Sequence, residues 1–537
     1  MFHFVRVAFI LLSTVILQAH ILPAAGMNNK ASGRVVYTDG SPAAGVCVTD
    51  GFQVCITDRK GRYRISTCPD TWFIYLSLPS DARIRCNGQG RPDFYQRFEK
   101  GRKEYDFVLE RQPVENRFNI FAVGDIHCHE ESYPKFLSQV MPGLERAVGA
   151  FSGDPGYIIS LGDLINNQND WNTSDYLPIA ARHLGQLPLP SFVTMGNHDY
   201  TFYNPENPLQ TDEKSSTVDL KWQRLFEEHF GPADFSFNRG KVHFVVMRDI
   251  RPDDGFDGNR NHAGFTDTQL KWLQGDLENV PGDWKVILSV HIPFKYEDKY
   301  NQKAVYDLIS RFDGEVLSAH THSNSYDPSI RNHIRCSVIN TKKNEVNVCG
   351  DGSPKGITVF SFEDNRLVDE RFVGLPSGMS DPDTQMRVCR GGLKFGGSHA
   401  FFQTASSRGD LFINVFNGDI RWKSVDVYED GVKTGSAVLI SDSQTRFTPF
   451  PLKAGETYMV PDGTAQDWWA TGYIKGVYGY RTNSRQNYGS CSHLYHYSLQ
   501  NPDAEVEVVA TDPYGNTFRC SEIISDGTSY PSSLWED

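Results

Sequence analysis

None of the ten cysteines pairs with another at C-x-x-C spacing, which excludes zinc-ribbon and dithiol motifs. No G-x-S-x-G elbow is present, so a serine nucleophile of the hydrolase-elbow kind is not expected. Beyond Leu17 no apolar run approaches the ~20 residues that a membrane-spanning helix needs. Basic residues are outnumbered, 53 Lys and Arg against 66 Asp and Glu, and the net −13 repels a long polyanion. A nucleic-acid polymer is therefore not an expected partner, whereas a small substrate is. Short repeats and low-complexity tracts are also missing.

At 537 residues the chain exceeds one hydrophobic core, since domains settle at roughly 100–200 residues. With 46 Gly and 28 Pro it suits a turn-rich, partly β organisation. Arg6, the apolar run Val7 to Leu17, and small residues at Ala24, Ala25 and Gly26 read as a cleavable secretory signal over 1–26. The expected compartment is periplasmic or extracellular, with no membrane span after cleavage. An exported chain can pair its cysteines. Cys47, Cys55, Cys68 and Cys86 lie close enough in sequence for one or two bridges, with buried free thiols as the equal alternative.

Three regions differ in rhythm. Over 27–113, short β-prone runs such as Arg34 to Thr38, Arg62 to Ser66 and Trp72 to Leu78 alternate with Asp-Gly and Lys-Gly turns, the pattern of a small β-sandwich. Over 114–373, apolar strands at Ile120 to Val123, Tyr157 to Leu161, Phe192 to Met195, His243 to Met247, Val286 to Val290 and Val316 to Ala319 alternate with helical patterns. One of these helices follows a Thr266-x-x-Gln269 capping box. That alternation predicts a layered α/β domain. Over 374–537, β-like segments return at Leu411 to Phe416, Ser424 to Tyr428, Ala437 to Ser441 and Val506 to Ala510, predicting a second mainly β domain.

The chemistry-bearing residues fall at the ends of the central strands. The runs close on Gly124-Asp125-Ile126-His127, Gly162-Asp163, Gly196-Asn197-His198-Asp199, His291, and His320-Thr321-His322. Each alone has an ordinary reading as a turn, a helix cap or a satisfied polar residue. Together, at the carboxyl ends of strands where ligands of open α/β sheets collect, they predict a metal site.

The order D-x-H, GD-x-x-N, GNHD, H, H-x-H resembles that of the calcineurin-like metallophosphoesterases across the whole central region. SGRVVYTDGSPAAGVCVTDG is similar to the carboxypeptidase-regulatory-like sandwich that precedes the catalytic domain in a bacterial subfamily, and LFINVFNGDIRWKSVDVYEDG to its C-terminal domain. The resemblance implies an αββα sandwich flanked by two mainly β domains. It places one metal on Asp125, His127 and His322, the other on Asn197, His291 and His320, with Asp163 bridging. Mixed imidazole and oxygen ligands suit two divalent transition ions, Mn, Fe or Zn. In the family such a pair clamps the phosphate oxygens and makes hydroxide available for in-line attack. His198 matches the position that protonates the leaving oxygen, and Asp199 is expected to orient it.

Two positions depart from the pattern. Ala319 replaces the usual Gly before H-x-H. Asn166 and His127 stand where purple acid phosphatases carry Tyr and Gly, which disfavours an Fe(III)-tyrosinate enzyme. Asn166, Asn197 and Arg248 are candidate phosphate contacts, with Asn167 and Asp249 beside them. His129 and Cys128 are read as neighbours of the site, His243 as a structural strand residue, and Phe294 and Tyr200 as packing or stacking residues. The aromatic patch Trp468, Trp469, Tyr473, Tyr478 and Tyr480 reads as core, seam or ligand platform. The expected function is thus an exported hydrolase of phosphate esters. The alternatives are a surface binding protein on an inactive phosphoesterase scaffold and a metal hydrolase of other esters. Oligomeric state has no signature in the sequence.

Overall fold

The computed structural model describes residues 29–130, 132–166, 173–199, 215–250, 263–339, 347–378, 380–440, 451–461, 463–479, 490–527 and 530. The segment read as a signal, 1–26, and Asn167, Tyr200 and Tyr480 lie outside them.

The N-terminal region is a sandwich of two small sheets. Arg62–Thr67, Asn29–Tyr37 and Phe107–Leu109 form one; Val54–Ile56, Cys47–Thr49, Phe73–Leu76 and Tyr95–Arg97 form the other. Arg62–Thr67 shows why: Tyr63, Ile65 and Thr67 are buried while Arg62 and Arg64 are exposed, the period-2 alternation of a half-buried strand. The register bears on one of the bridges this region could form. Cys47 pairs with Ile56 and Cys55 with Val48, so the two thiols point to opposite faces of their sheet. All ten cysteines are free thiols here.

The central region holds two larger sheets. One has the order Ser191–Val193, Gly156–Ser160, Arg117–Val123, Gly356–Glu363, Arg366–Gly374. The other has the order Phe235–Arg239, Val242–Val246, Lys285–Ser289, Glu315–Ser318, Asn332–Ile334, Ser325–Asp327. In the first, three successive strands run parallel, and in the second, four. Parallel neighbours need crossovers, supplied by Met141–Ala150, Thr173–Leu184, Asp267–Leu277 and Gln302–Ile309. Asp267–Leu277 begins at the expected capping box, with Thr266 accepting from the Gln269 backbone and the Gln269 side chain returning the bond.

Side-chain alternation defines the layers. Phe118, Ile120 and Ala122 join Phe237, Phe244, Val246, Ile287 and Leu317 in a core between the sheets. Phe121 and Val123 turn outward to Leu144 and Leu177, and Val286 and Leu288 turn outward to Trp272 and Leu308. The arrangement is helix, sheet, sheet, helix, flanked on both sides by mainly β regions. Phe94 of the N-terminal sandwich packs on Phe235, ring centroids 5.2 Å apart, so the first two regions share one core.

The C-terminal region contains sheets of five, three and four strands. Its aromatic patch is mostly core: Trp468, Trp469 and Tyr473 are buried with Phe395, Phe412 and Tyr530 on the short helix Trp468–Thr471 and the π-helical turn after it. No helix among the described residues is long and apolar enough to cross a membrane.

Candidate metal centre

The parallel strands of both sheets deliver their carboxyl ends to one place. Asp125, Asp163 and Asn197 follow three strands of one sheet; Asp249, His291 and His320 follow three of the other. The loops that carry them are tight. Asp125, His127, Asp163, His320 and His322 all have φ between 45° and 63°, left-handed values that non-glycine residues adopt at a cost and that cluster at functional sites. Glycine is obligatory beside them: a Cβ on Gly196 would lie 2.1 Å from the Asp163 nitrogen, and one on Gly162 2.6 Å from His291 Nδ1.

The seven residues read as ligands come together: Asp125, His127, Asp163, Asn197 and His291 are buried, and His320 and His322 are half-buried. Asp125, His127 and His322 form one group and Asp163, His291 and His320 another, each with its ligand atoms within 4.8 Å of one another. His127 Nε2 and His322 Nε2 are 3.0 Å apart, and both approach Asp125 Oδ1, at 3.7 and 3.3 Å. Asn197 Oδ1 lies 2.9 Å from both His291 Nε2 and His320 Nδ1. Asp163 Oδ2 reaches into both groups, 3.7 Å from His127 Nε2 and 3.2 Å from His291 Nε2.

The cluster suits cations, and His291 shows why. Its Nδ1 faces the Leu161 carbonyl at 2.7 Å, which fixes the proton there and leaves Nε2 as the lone-pair side of a neutral ring. That lone pair faces Asn197 Oδ1, Asp163 Oδ2 and His320 Nδ1. Asp125 Oδ1 is likewise buried without a hydrogen-bond partner. Acceptors facing acceptors need a positive species between them. In the ion-free chain a proton serves. Burial alone would depress His291, but the Asp163 carboxylate holds it up to about 10. Burial and the His291 charge push His320 down to about 4. Burial would raise Asp163, yet His291 and His198 keep it well below the usual carboxylate range.

A second ring of groups fixes the loops. Asp199 accepts from the backbone of Leu164 (2.8 Å), Ile165 (3.2 Å) and Gly196 (2.8 Å), tying two ligand loops together. Burial and the Asp163 charge raise it to about 8. The carboxylate against His198 is instead that of Asp163, whose Oδ1 accepts the His198 backbone N–H at 2.7 Å and whose Oδ2 is 3.9 Å from Nε2. Asp249 holds the His291 loop in the same manner, accepting from the His291 and Ile292 amides at 3.2 and 3.0 Å. Its place after a strand end was the only signal of this role.

Other expected neighbours fall elsewhere. Arg248 lines a crevice of about 230 Å³ against the N-terminal region, with Asp50, Trp72 and Arg224. Asn166 is buried next to the first ligand loop, its N–H donating to the Cys128 carbonyl. His129 contacts Ser132, His243 contacts Asn238 of the neighbouring strand and Asp276 of the helix Asp267–Leu277, and Phe294 packs edge-on to Phe265.

Residues 29–112, 118–324 and 336–518 match, in order, the family models for the N terminal of calcineurin-like phosphoesterase, calcineurin-like phosphoesterase, and the C terminal of calcineurin-like phosphoesterase. The chain belongs to the calcineurin-like phosphoesterases. No curated protein matches it. Among solved structures, it is similar to sulfate thiohydrolase SoxB of Thermus thermophilus, at 11% identity over 50% of this chain and 57% of that one, with a TM-score of 0.28. Purple acid phosphatase PPD1 from yellow lupin, Lupinus luteus, is 13% identical over 61% of this chain and 69% of that one, TM-score 0.28. NAD nucleotidase of Haemophilus influenzae is 10% identical over 48% and 50%, TM-score 0.27. This calcineurin-like chain spans about half the length of the thiohydrolase and the nucleotidase, and likeness at this level says nothing about its substrate.

Proposed function

We propose that the chain is an exported hydrolase of small phosphate esters that works with two divalent transition ions. The observation that carries the reading is the position of Asp163 Oδ2 between two groups of acceptor ligands. Asp125, His127 and His322 would hold one ion, Asn197, His291 and His320 the other, and Asp163 both. Nitrogen and oxygen donors together favour Mn, Fe or Zn. When bound, such a pair neutralises the phosphate oxygens and acidifies water near neutral pH.

The chain supplies the remainder. His198 lies beside His127, ring centroids 4.8 Å apart, and is the proton donor to the leaving oxygen. Asp163 places it through the backbone bond to Oδ1 and keeps a negative charge near its ring. Asp199 holds the loop after Asp163 in its left-handed turn and Asp249 holds the His291 loop, so that the donors are preorganised. The side-chain amides of Asn166 and Asn197 are the neutral contacts for phosphate, and Arg248 would meet a substrate only from the crevice side. Export rests on Arg6 and the apolar run that follows it.

The test is direct. The purified chain, stripped with chelator and resupplied with Mn or Zn, should hydrolyse a chromogenic phosphate monoester or diester, and Asp163→Asn should not. Failure on both substrate classes with metal present would rule the enzyme reading out.

A further inference from the structure

Cys336 and Cys349 are buried side by side in a small cluster with Phe372 and Phe416. Their thiols share an acceptor, the Pro354 carbonyl, at 3.9 and 3.6 Å. Other thiols are engaged differently: Cys47 donates to Asp276, and Cys491 faces His493 Nδ1 at 3.3 Å. The backbones of the pair are already fixed. Cys336 N–H donates to Asn324 Oδ1 at 3.1 Å, and Cys349 N–H to the Ser353 carbonyl at 2.7 Å. Two thiols that meet at one carbonyl within the same buried cluster are close enough for a disulfide to be considered.

We propose that Cys336 and Cys349 are an oxidative modification site, joined as a disulfide when the chain folds where a low-molecular-weight disulfide such as oxidised glutathione is present. One protein thiolate attacks the oxidant's disulfide and expels one thiol, leaving a mixed disulfide; the second protein thiolate then displaces the other half. Two S–H bonds are replaced by one S–S bond. The oxidant takes up two electrons and two protons and leaves as two thiols. Because both sulfurs are sealed by Phe372 and Phe416, the exchange takes place before this cluster closes, and the finished bond is shielded from mild reductants.

The site is well placed to matter. Ser337, next to Cys336, bridges Gly124, the residue before Asp125. Asn324, which holds the Cys336 backbone, follows His322 by two positions and donates its own N–H to Asp351 Oδ2 at 2.8 Å. A covalent link at this point fastens the strand behind Asp125 and the turn after His322 to the segment that leads into Gly356–Glu363. The proposal stands independently of the phosphoesterase reading.

The full chain made in an oxidising compartment and in a reducing cytosol should be alkylated after denaturation, digested and mapped by mass spectrometry. The expected result is a linked Cys336–Cys349 peptide in the oxidised sample, lost after reduction, and a higher Tm for the oxidised chain. The double variant Cys336→Ala/Cys349→Ala should show no oxidation-dependent shift in Tm. Full alkylation of both cysteines in the oxidised sample, their linkage to other cysteines, or an equal Tm shift in the double variant would each overturn the proposal.

Discussion

At the seam between the central and C-terminal regions, His333 stands between Glu315 and Glu370, 3.0 and 3.1 Å from their oxygens. Glu315 is also met by Lys285 at 2.8 Å and Arg331 at 2.6 Å, and Glu370 by Arg335 and, at 3.0 Å, Arg421. At the strand ends, Asp125 and Asp163 are just as buried, yet they face five imidazoles rather than lysine or arginine. Both clusters place carboxylates in a low-dielectric interior, which is tolerated only when each charge is answered. The seam answers its charges from within the chain. The strand-end cluster leaves lone pairs pointing at one another, and the difference marks one as a fastening and the other as a receptacle for cations.

Substitutions should separate the two. The largest effect is expected from Asp163→Asn, which removes the oxygen common to both groups. Loss of several kcal/mol of transition-state stabilisation corresponds to about 10³-fold or more in kcat/KM, while Tm stays close to the parent. Arg335→Met should do the reverse: it leaves Glu370 underpaired at a buried site, at a cost of about 3–5 kcal/mol in denaturant unfolding, with kcat per folded molecule retained. If Arg335→Met abolished activity in fully folded protein, the division of labour would be wrong.

Next in size, His198→Ala should lower kcat by about 10²-fold with metal content unchanged, the loss characteristic of a proton donor. A parallel loss of bound metal would make His198 a ligand instead. The smallest effect is acid sensitivity of the seam. Burial would raise Glu315, but His333 and Lys285 hold it down to about 2, against 4.5 for the free side chain. A depressed carboxyl contributes stability that is complete above the unfolded value and is lost as pH falls from about 4.5 towards 2. Unfolding measured across that window should be less pH-dependent in Glu315→Gln than in the parent.

Much of this was legible in the sequence because it is periodic or punctuated. The central strands, the Thr266 capping box and the strand-end positions of the seven acceptors all follow from local pattern. Phe235–Arg239 has no clear strand pattern because its run FSFNR carries an Asn and an Arg, and the turn at Gly240, φ 52°, makes it a hairpin partner of Val242–Val246. The helix Trp468–Thr471 was hidden because four residues give no period; Asp467 caps it, accepting from Ala470. Asp199 adjoins His198 in sequence, but a carboxylate answers whichever donors are nearest in space, and those are amides of two loops. The pairing at the seam joins Glu315 and Glu370 through His333, contacts that local pattern does not encode.

The central claim is that the strand-end cluster is completed by two cations sharing Asp163. Titrating the chelator-stripped chain with Mn²⁺ or Zn²⁺ by calorimetry, with metal content checked by elemental analysis, tests it most directly. Two ions per chain, with both sites weakened in Asp163→Asn, is the result expected. Uptake of one ion or none, or two ions bound equally tightly by Asp163→Asn, would contradict it.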